Sequence, residues 1–429
     1  MSTPTVTHPF LQDLLARGLL QDHTDLAALD AHLTSGQRSL YVGFDPTAPS
    51  LHIGNFQQVL VLKRAQLFGL KPIALVGGAT GLIGDPGGRT SERTLNPAET
   101  VQEWTQKLRT QLERYLDFTG PTAAMMVNNF DWLGSLSTVN FLRDVGKHFS
   151  VNMMLNKEAV SSRLGRDGGG ISYTEFSYMI LQAYDFAHLC QHHHCTIQFG
   201  GSDQWGNITA GLDLIRRTLG AEVSAHCFSL PLLTKADGTK MGKSVGGAVW
   251  LDAQLTSPYQ LYQFWLNAED SMVETYLLRM TLLPLNEISH IMAEFAANPG
   301  ARLAQKRLAQ EVVTLVHGAA ATTTAERISA AFFAGALETL SPAEMHDALA
   351  GAPQTALPPG PIALLDAVVT LGLAPSKTQA RELITSGAIT IGGEKRTDPA
   401  QTLTPADALD GRYLVLKKGK KTYHVGVWA

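Results

Sequence analysis

Five short apolar runs alternate with longer amphipathic stretches up to about Leu233, and no other feature constrains the fold as much. The runs are SLYVGF, PIALVGG, AAMMVNN, TIQFGG and CFSLPLL. Between them lie FQQVLVLKRAQLFG, VQEWTQKLRTQLERYLDF and FSYMILQAYDFAHL, whose apolar residues recur at helical spacing. Strands that alternate with helices pair in parallel, because each helix returns the chain to the same end of the sheet. The expected fold class is therefore α/β, a Rossmann-like parallel-sheet domain with helices on both faces. In such sheets ligands sit beyond the strand C-termini, where helices begin.

The rest of the chain reads differently. From Pro258 to about Gly335 the pattern is nearly all helical, with LAQKRLAQEVVTLVHGAAA its strongest segment. GAPQTALPPGP, Gly351 to Pro361, is Pro-rich and linker-like. SKTQARELITSG then offers Ser376 as an N-cap and Gly387 as a helix stop, and AITIGGEKR reads as a hairpin turning at Gly392–Gly393. The expected division is 1–250 for the α/β domain, 251–350 for an α-helical domain, 351–361 for a linker and 362–429 for a small α+β module.

Composition narrows the class. A hydrophobic share of 45% with 17% charged residues belongs to a well-buried globular chain. No run of about 18 uncharged apolar residues occurs, so no membrane span is expected. The start, MSTPTVTHPF, lacks a basic stretch followed by an apolar one, and three cysteines cannot build a disulfide framework. A reducing cytoplasm is the expected home. The net charge of −4 gives no sign of wholesale nucleic-acid affinity. From Gly360 to Ala429, however, nine Lys/Arg face six Asp/Glu, which suits either a modest RNA contact or a solvated basic face.

Four stretches could carry chemistry. ALVGGATGLIGDPGGRTSER follows a strand but fails the spacing of both the dinucleotide fingerprint and the Walker A loop. Its glycines still let a ligand approach the backbone, and Arg89 and Arg93 could face one anion together. KADGTKMGKSVGG puts Lys240 and Lys243 on a glycine-hinged loop, either exposed surface or a cover for a polyphosphate. In SYTEFSYMILQAYDF, Tyr178, Gln182 and Asp185 fall at i, i+4 and i+7 of a helix. Buried without partners, that polar stripe would cost several kcal/mol, which favours a polar pocket over plain core. CQHHHC, Cys190 to Cys195, has no second ligand half elsewhere and reads as a helix end entering the next strand.

PTAPSLHIGN, followed some 185 residues later by KMGKS, resembles the paired HIGH and KMSKS signatures of class I aminoacyl-tRNA synthetases. YVGFDPTAPSLHIGN, ALVGGATGLIGDP, SYTEFSYMILQAYDF and QFGGSDQWGNI are more closely similar to the bacterial tyrosyl-tRNA synthetase family. The similarity runs from about Leu40 to Trp250, and SKTQARELITSGAITIGG resembles the RNA-binding module that ends those enzymes. The resemblance implies ATP as a substrate, Mg2+ arriving with it and no dedicated protein metal site. It also implies L-tyrosine and tRNA(Tyr) as partners, a homodimer, an anticodon-binding role for the helical domain, and no membrane.

Residue by residue, the resemblance puts Thr47, His52, Lys240, Lys243, Ser244, Arg89 and Arg93 at the phosphates. Gly43, Asp45, Gly54, Asn55, Gly201, Asp203 and Gln204 fall around the adenylate and ribose, with Gln204 also in the amino-acid pocket. Tyr41 and Asp185 would read the substrate phenol, and Tyr178, Gln182 and Asp85 its α-ammonium group. His52 and Asn55, one turn apart, are expected to face the nucleotide, with Gly54 letting it settle against the backbone. Asn55 replaces the second histidine of HIGH, Arg89 a lysine, Gly242 a serine, and Val42 a side chain that is polar in some relatives. The rival readings are a tryptophanyl-tRNA synthetase and a catalytically silent RNA-binding paralogue.

Overall fold

The computed structural model describes residues 5–87, 95–164, 170–241, 247–334, 336, 339–349, 353–419 and 422–428. Two compact units emerge: residues 1–255 with 268–308, and residues 256–267 with 309–429. The helices of 251–350 are thus shared between them. Val273–Met280 and Leu285–Ala297 fall in the first unit, Pro258–Leu266 and Ala319–Ala334 in the second.

All five apolar runs form strands: β1 Ser39–Phe44, β2 Lys71–Val76, β3 Met125–Asn128, β4 Cys195–Gly201 and β5 His226–Leu230. The amphipathic stretches between them form α1 Ile53–Leu67, α2 Ala98–Leu112, α3 Tyr173–His193 and α4 Trp205–Thr218. The strands pair in parallel in the order β3-β2-β1-β4-β5. Every residue of β5, and all but one of β2 and of β4, is buried. Successive side chains point to opposite faces, so such burial requires cover on both. From β1 the chain builds outward to β2 and β3, then returns to lay β4 on the other side of β1. The order reverses between β1 and β4, which places the ligand crevice at their C-terminal ends.

CQHHHC behaves as the bland reading expects. α3 ends at His193, His194 takes the left-handed conformation at φ 52°, and Cys195 opens β4.

In the second unit, strands β6 Gln354–Ala356, β8 Ile389–Ile391, β9 Glu394–Arg396, β11 Tyr413–Lys418 and β12 Thr422–Val427 form one sheet, β6-β12-β11-β8-β9. The short pair β7 Ile362–Ala363 and β10 Thr402–Leu403 lies apart from it. The hairpin turns at Gly392 and Gly393, both at positive φ, and Ser376 accepts from Gln379 N–H as an N-cap. The linker-like reading of 351–361 is corrected in part. Residues 354–356 pair in parallel with β12, and Leu357 is buried. Their partner strand lies some seventy residues downstream, beyond the reach of a local pattern.

Candidate active site

The C-terminal end of β1 runs into Asp45, and the chain then turns into α1. His52 is the N-cap of that helix. Its Nδ1 accepts from Gly54 N–H at 3.0 Å, while Asn55 Oδ1 accepts from His52 N–H at 3.1 Å. This reciprocal cap satisfies donors that a helix start otherwise leaves unpaired. A neutral imidazole that accepts at Nδ1 carries its proton on Nε2, so its far edge is a donor. Gly54 answers to the same ring, since a Cβ there would stand 2.8 Å from His52 Cε1. The glycine expected to admit a nucleotide is first of all the space that the imidazole needs.

His52, Gly54 and Asn55 face one cavity of about 260 Å³, together with Gly43, Asp45, Thr47, Asp85, Gly201, Asp203, Gln204 and Lys240. These residues arrive from the ends of β1, β2 and β4 and from the stretch after β5. Lys240 Nζ reaches Asp203 Oδ2 at 3.1 Å, and Gln204 Nε2 donates to Asp85 Oδ2 at 2.6 Å. Arg89, Arg93, Gly242, Lys243 and Ser244 lie outside the described residues.

The amino-acid residues of the expectation sit in a more buried setting. Tyr41, Tyr178 and Asp185 are buried, and Gln182 is half-buried. Tyr178 Oη donates to Asp45 Oδ2 at 2.7 Å, which ties this region to the cavity wall. Tyr41 Oη and Gln182 Oε1 are buried and make no hydrogen bond among the described residues. Leaving such groups unsatisfied costs about 1–3 kcal/mol each, which a polar ligand would remove.

Asp185 is not left alone. Asn129 Nδ2 donates to its Oδ2 at 3.0 Å and Trp132 Nε1 to its Oδ1 at 2.8 Å. Burial pushes its carboxyl up to about 7, against those two donors and with a smaller push from Asp45. Tyr41 and Tyr178 are raised well above the ordinary phenol range, mainly by burial and then by neighbouring carboxylates. Both stay protonated and able to donate.

A hydrogen-bonded chain joins the carboxylates. Asn129 Nδ2 also donates to Thr80 Oγ1 at 2.9 Å, and Thr80 Oγ1 donates to Asp45 Oδ1 at 2.7 Å. Gly77 leaves room for it, because a Cβ there would lie 2.0 Å from Asp45 Oδ1. Thr80, Asn129 and Trp132 were absent from the sequence expectation. The signal for the last two was present, since they directly follow β3 on the end of the sheet where ligands bind.

Comparison with known proteins gives the family. Residues 34–334 match the family tRNA synthetases class I (W and Y), and residues 344–425 match the tyrosine–tRNA ligase SYY-like C-terminal domain. Tyrosine–tRNA ligase 1 of Bacillus licheniformis is 51% identical over 97% of this chain and 99% of its own. The tyrosine–tRNA ligase of Desulfitobacterium hafniense is 49% identical over 97% and 98%. The crystal structure of a C-terminally truncated mitochondrial tyrosyl-tRNA synthetase from Aspergillus nidulans superposes with a TM-score of 0.68 at 32% identity. That match covers 76% of this chain and 94% of the other.

The chain belongs to the class I aminoacyl-tRNA synthetases of the tryptophan and tyrosine type. Its matched C-terminal domain and its near full-length relatives place it on the bacterial tyrosine branch of that family.

Proposed function

We propose that this chain is a tyrosine–tRNA ligase. One observation carries the reading: a polar cavity at a helix start is joined through Asp45, Thr80 and Asn129 to the buried Asp185 carboxyl, with the Tyr41 phenol buried nearby. The N-terminus of α1 brings partial positive charge, His52 Nε2–H a donor and Lys240 a full charge to the phosphates of ATP. The tyrosine carboxylate oxygen attacks the α-phosphorus, a bond to that phosphorus forms, and the bond to pyrophosphate breaks. A ribose hydroxyl at the 3′ end of tRNA(Tyr) then attacks the tyrosyl carbonyl, and AMP departs. Such transfers need positioning and charge stabilisation rather than a protein nucleophile.

Asp185 accepts the substrate phenol and Tyr41 completes its hydrogen bonding, while Tyr178, Gln182 and Asp85 hold the ammonium. Phenylalanine leaves the first pair unsatisfied and is rejected for that reason, a discrimination for which tyrosyl-tRNA synthetase is itself the standard worked example. Arg89, Arg93, Lys243, Ser244 and Thr47 supply further phosphate contacts by family resemblance. Mg2+ comes with ATP and is held through its phosphates. Among the described residues no group of three His, Cys, Asp or Glu side chains could hold a metal ion.

The helical region 251–350 serves the anticodon of tRNA, and 362–429 adds a basic surface for it. The enzyme works as a homodimer in the cytoplasm. Eight of the sixteen exposed large apolar side chains among the described residues fall between Met125 and Tyr173, including Val139, Val151 and Tyr173. That concentration supports a self-complementary interface there.

Amino-acid-dependent ATP–pyrophosphate exchange, run with all twenty amino acids, tests the reading. Tyrosine alone is expected to support exchange. A tryptophan rate above the tyrosine rate would select the tryptophanyl rival, and RNA binding without any exchange would select the silent paralogue.

A further inference from the structure

Asp185 is held by two donors from the segment that follows β3, and one of them, the Trp132 indole, packs half-buried against the core that α3 shares with the sheet. The helical turn Phe130–Leu133 contains no buried residue, and Phe130 is half exposed. One face of the indole is covered by His188 of α3, with ring centroids 4.3 Å apart and planes within 17°. His188 lies three residues after Asp185, so one side of α3 supplies both partners of the indole. The carboxylate takes its N–H and the imidazole takes its face.

The imidazole is itself backed. His192 stands 4.5 Å from it between ring centroids, and Tyr184 and His193 each stand 6.2 Å away. Burial, followed by the charges of His192 and His193, holds His188 down at about 4. At neutral pH it is an uncharged ring, suited to lie flat on an indole. The histidine-rich end of α3, which the catalytic reading leaves unused, is what packs this contact.

We propose that His188 is a positioning residue for tyrosine recognition, its ring clamping Trp132 so that the indole N–H stays on Asp185 and the carboxylate stays aimed at the substrate phenol. The inference rests on the tyrosine reading of the site. Loss of the clamp removes the stacked face that sets the angle of the indole, and the Trp132 hydrogen bond to Asp185 weakens. The consequence falls on amino-acid binding and not on the phosphates.

The test uses the full-length protein, with tyrosine affinity measured by calorimetry and kcat and KM by tyrosine-dependent exchange. His188→Phe keeps a flat ring, whereas His188→Leu fills similar volume without one. Leu is expected to raise the tyrosine Kd and KM about threefold to tenfold, with kcat and the ATP KM unchanged. Phe is expected to stay within about twofold of the parent. Equal loss in both variants, no loss in Leu, or a Leu loss carried by kcat and the ATP KM would overturn the inference. If Leu does not fold, His188→Gln is read by the same criteria. A parent without tyrosine-dependent exchange defeats the reading of the site itself, while an active parent with insensitive variants defeats only the clamp.

Discussion

Lys240 Nζ stands 3.1 Å from Asp203 Oδ2, an ion pair on the wall of the cavity at the start of α1. Their side chains are 47% and 32% exposed, so the pair contributes well under about 1 kcal/mol to stability. On the proposed function, nucleotide would replace this pairing with phosphate on Lys240 and ribose hydroxyls on Asp203. Lys240→Ala should therefore leave the thermal midpoint within about 2 °C and lower tyrosine-dependent exchange about 10²- to 10³-fold. Scanning calorimetry beside exchange kinetics checks this. A large fall in stability with a modest fall in rate would make the pair structural.

His52 performs two tasks that substitution can separate. Its Nδ1 caps α1, and its side chain lines the cavity where the proposed function puts phosphate. His52→Ala should lose both, costing about 1 kcal/mol of stability and about 10²-fold in adenylate formation. His52→Asn returns a capping oxygen but lacks the reach, so stability should recover while the rate does not. Tyrosine affinity should be unchanged in both, because the contact belongs to the transition state. Recovery of the rate by asparagine would reduce His52 to a cap.

The catalytic sheet was legible because its signal is local. Each strand from β1 to β5 is an apolar run bounded by turn residues, and burial on both faces is what makes those runs continuous. The residues lining the nucleotide cavity were legible by family motif, since His52, Gly54 and Asn55 are one contiguous string. Thr80 was not, because it meets Asp45 across 35 residues of chain, and Asn129 and Trp132 were marked only by their place after β3, since Asp185 lies 53 to 56 residues further on. Strand β6 was hidden for the same reason. Its hydrogen bonds go to β12, and nothing in QTA announces them. Asn55 shows a further limit. The motif marks it as a departure, but only the structure shows its oxygen already committed to the His52 N–H.

Removing the C-terminal module is a poor test of its RNA role. Tyr413, Val415 and Val425 share a core with Ile328, Met345 and Leu349, so deletion from Gly360 would open the helical part of the second unit. Deletion should lower that unit's stability, seen as a separate early melting transition. Reversal of exposed charge is cleaner. Arg381 on the helix Lys377–Thr385 and Lys395 on β9 are exposed, and Arg381→Glu with Lys395→Glu should leave exchange unchanged. The KM for tRNA should rise about tenfold at moderate salt, and the salt dependence of charging should flatten. Unchanged tRNA KM at every salt concentration would place the RNA elsewhere.

The raised Asp185 carboxyl makes a prediction about pH whose sign is determined. Burial holds it up to about 7 in the folded chain, well above the ordinary range for an exposed aspartate. A folded-state value above the unfolded one means that the folded chain holds the proton more tightly. The stability so gained is present at low pH and is lost as pH rises through about 7. A bound phenol donates to the charged carboxylate and favours it, so tyrosine binding expels the proton where one is present. Tyrosine Kd should therefore be flat above about pH 8 and rise towards tenfold per pH unit below about 6. Asn129→Ala removes one donor, lifts the carboxyl further and should move this limb to higher pH. Asp185→Asn should weaken binding at all pH values and abolish the limb between about pH 6 and 8, as calorimetric titrations would show. A limb that survives in Asp185→Asn belongs to another group, and the phenol would then be read elsewhere.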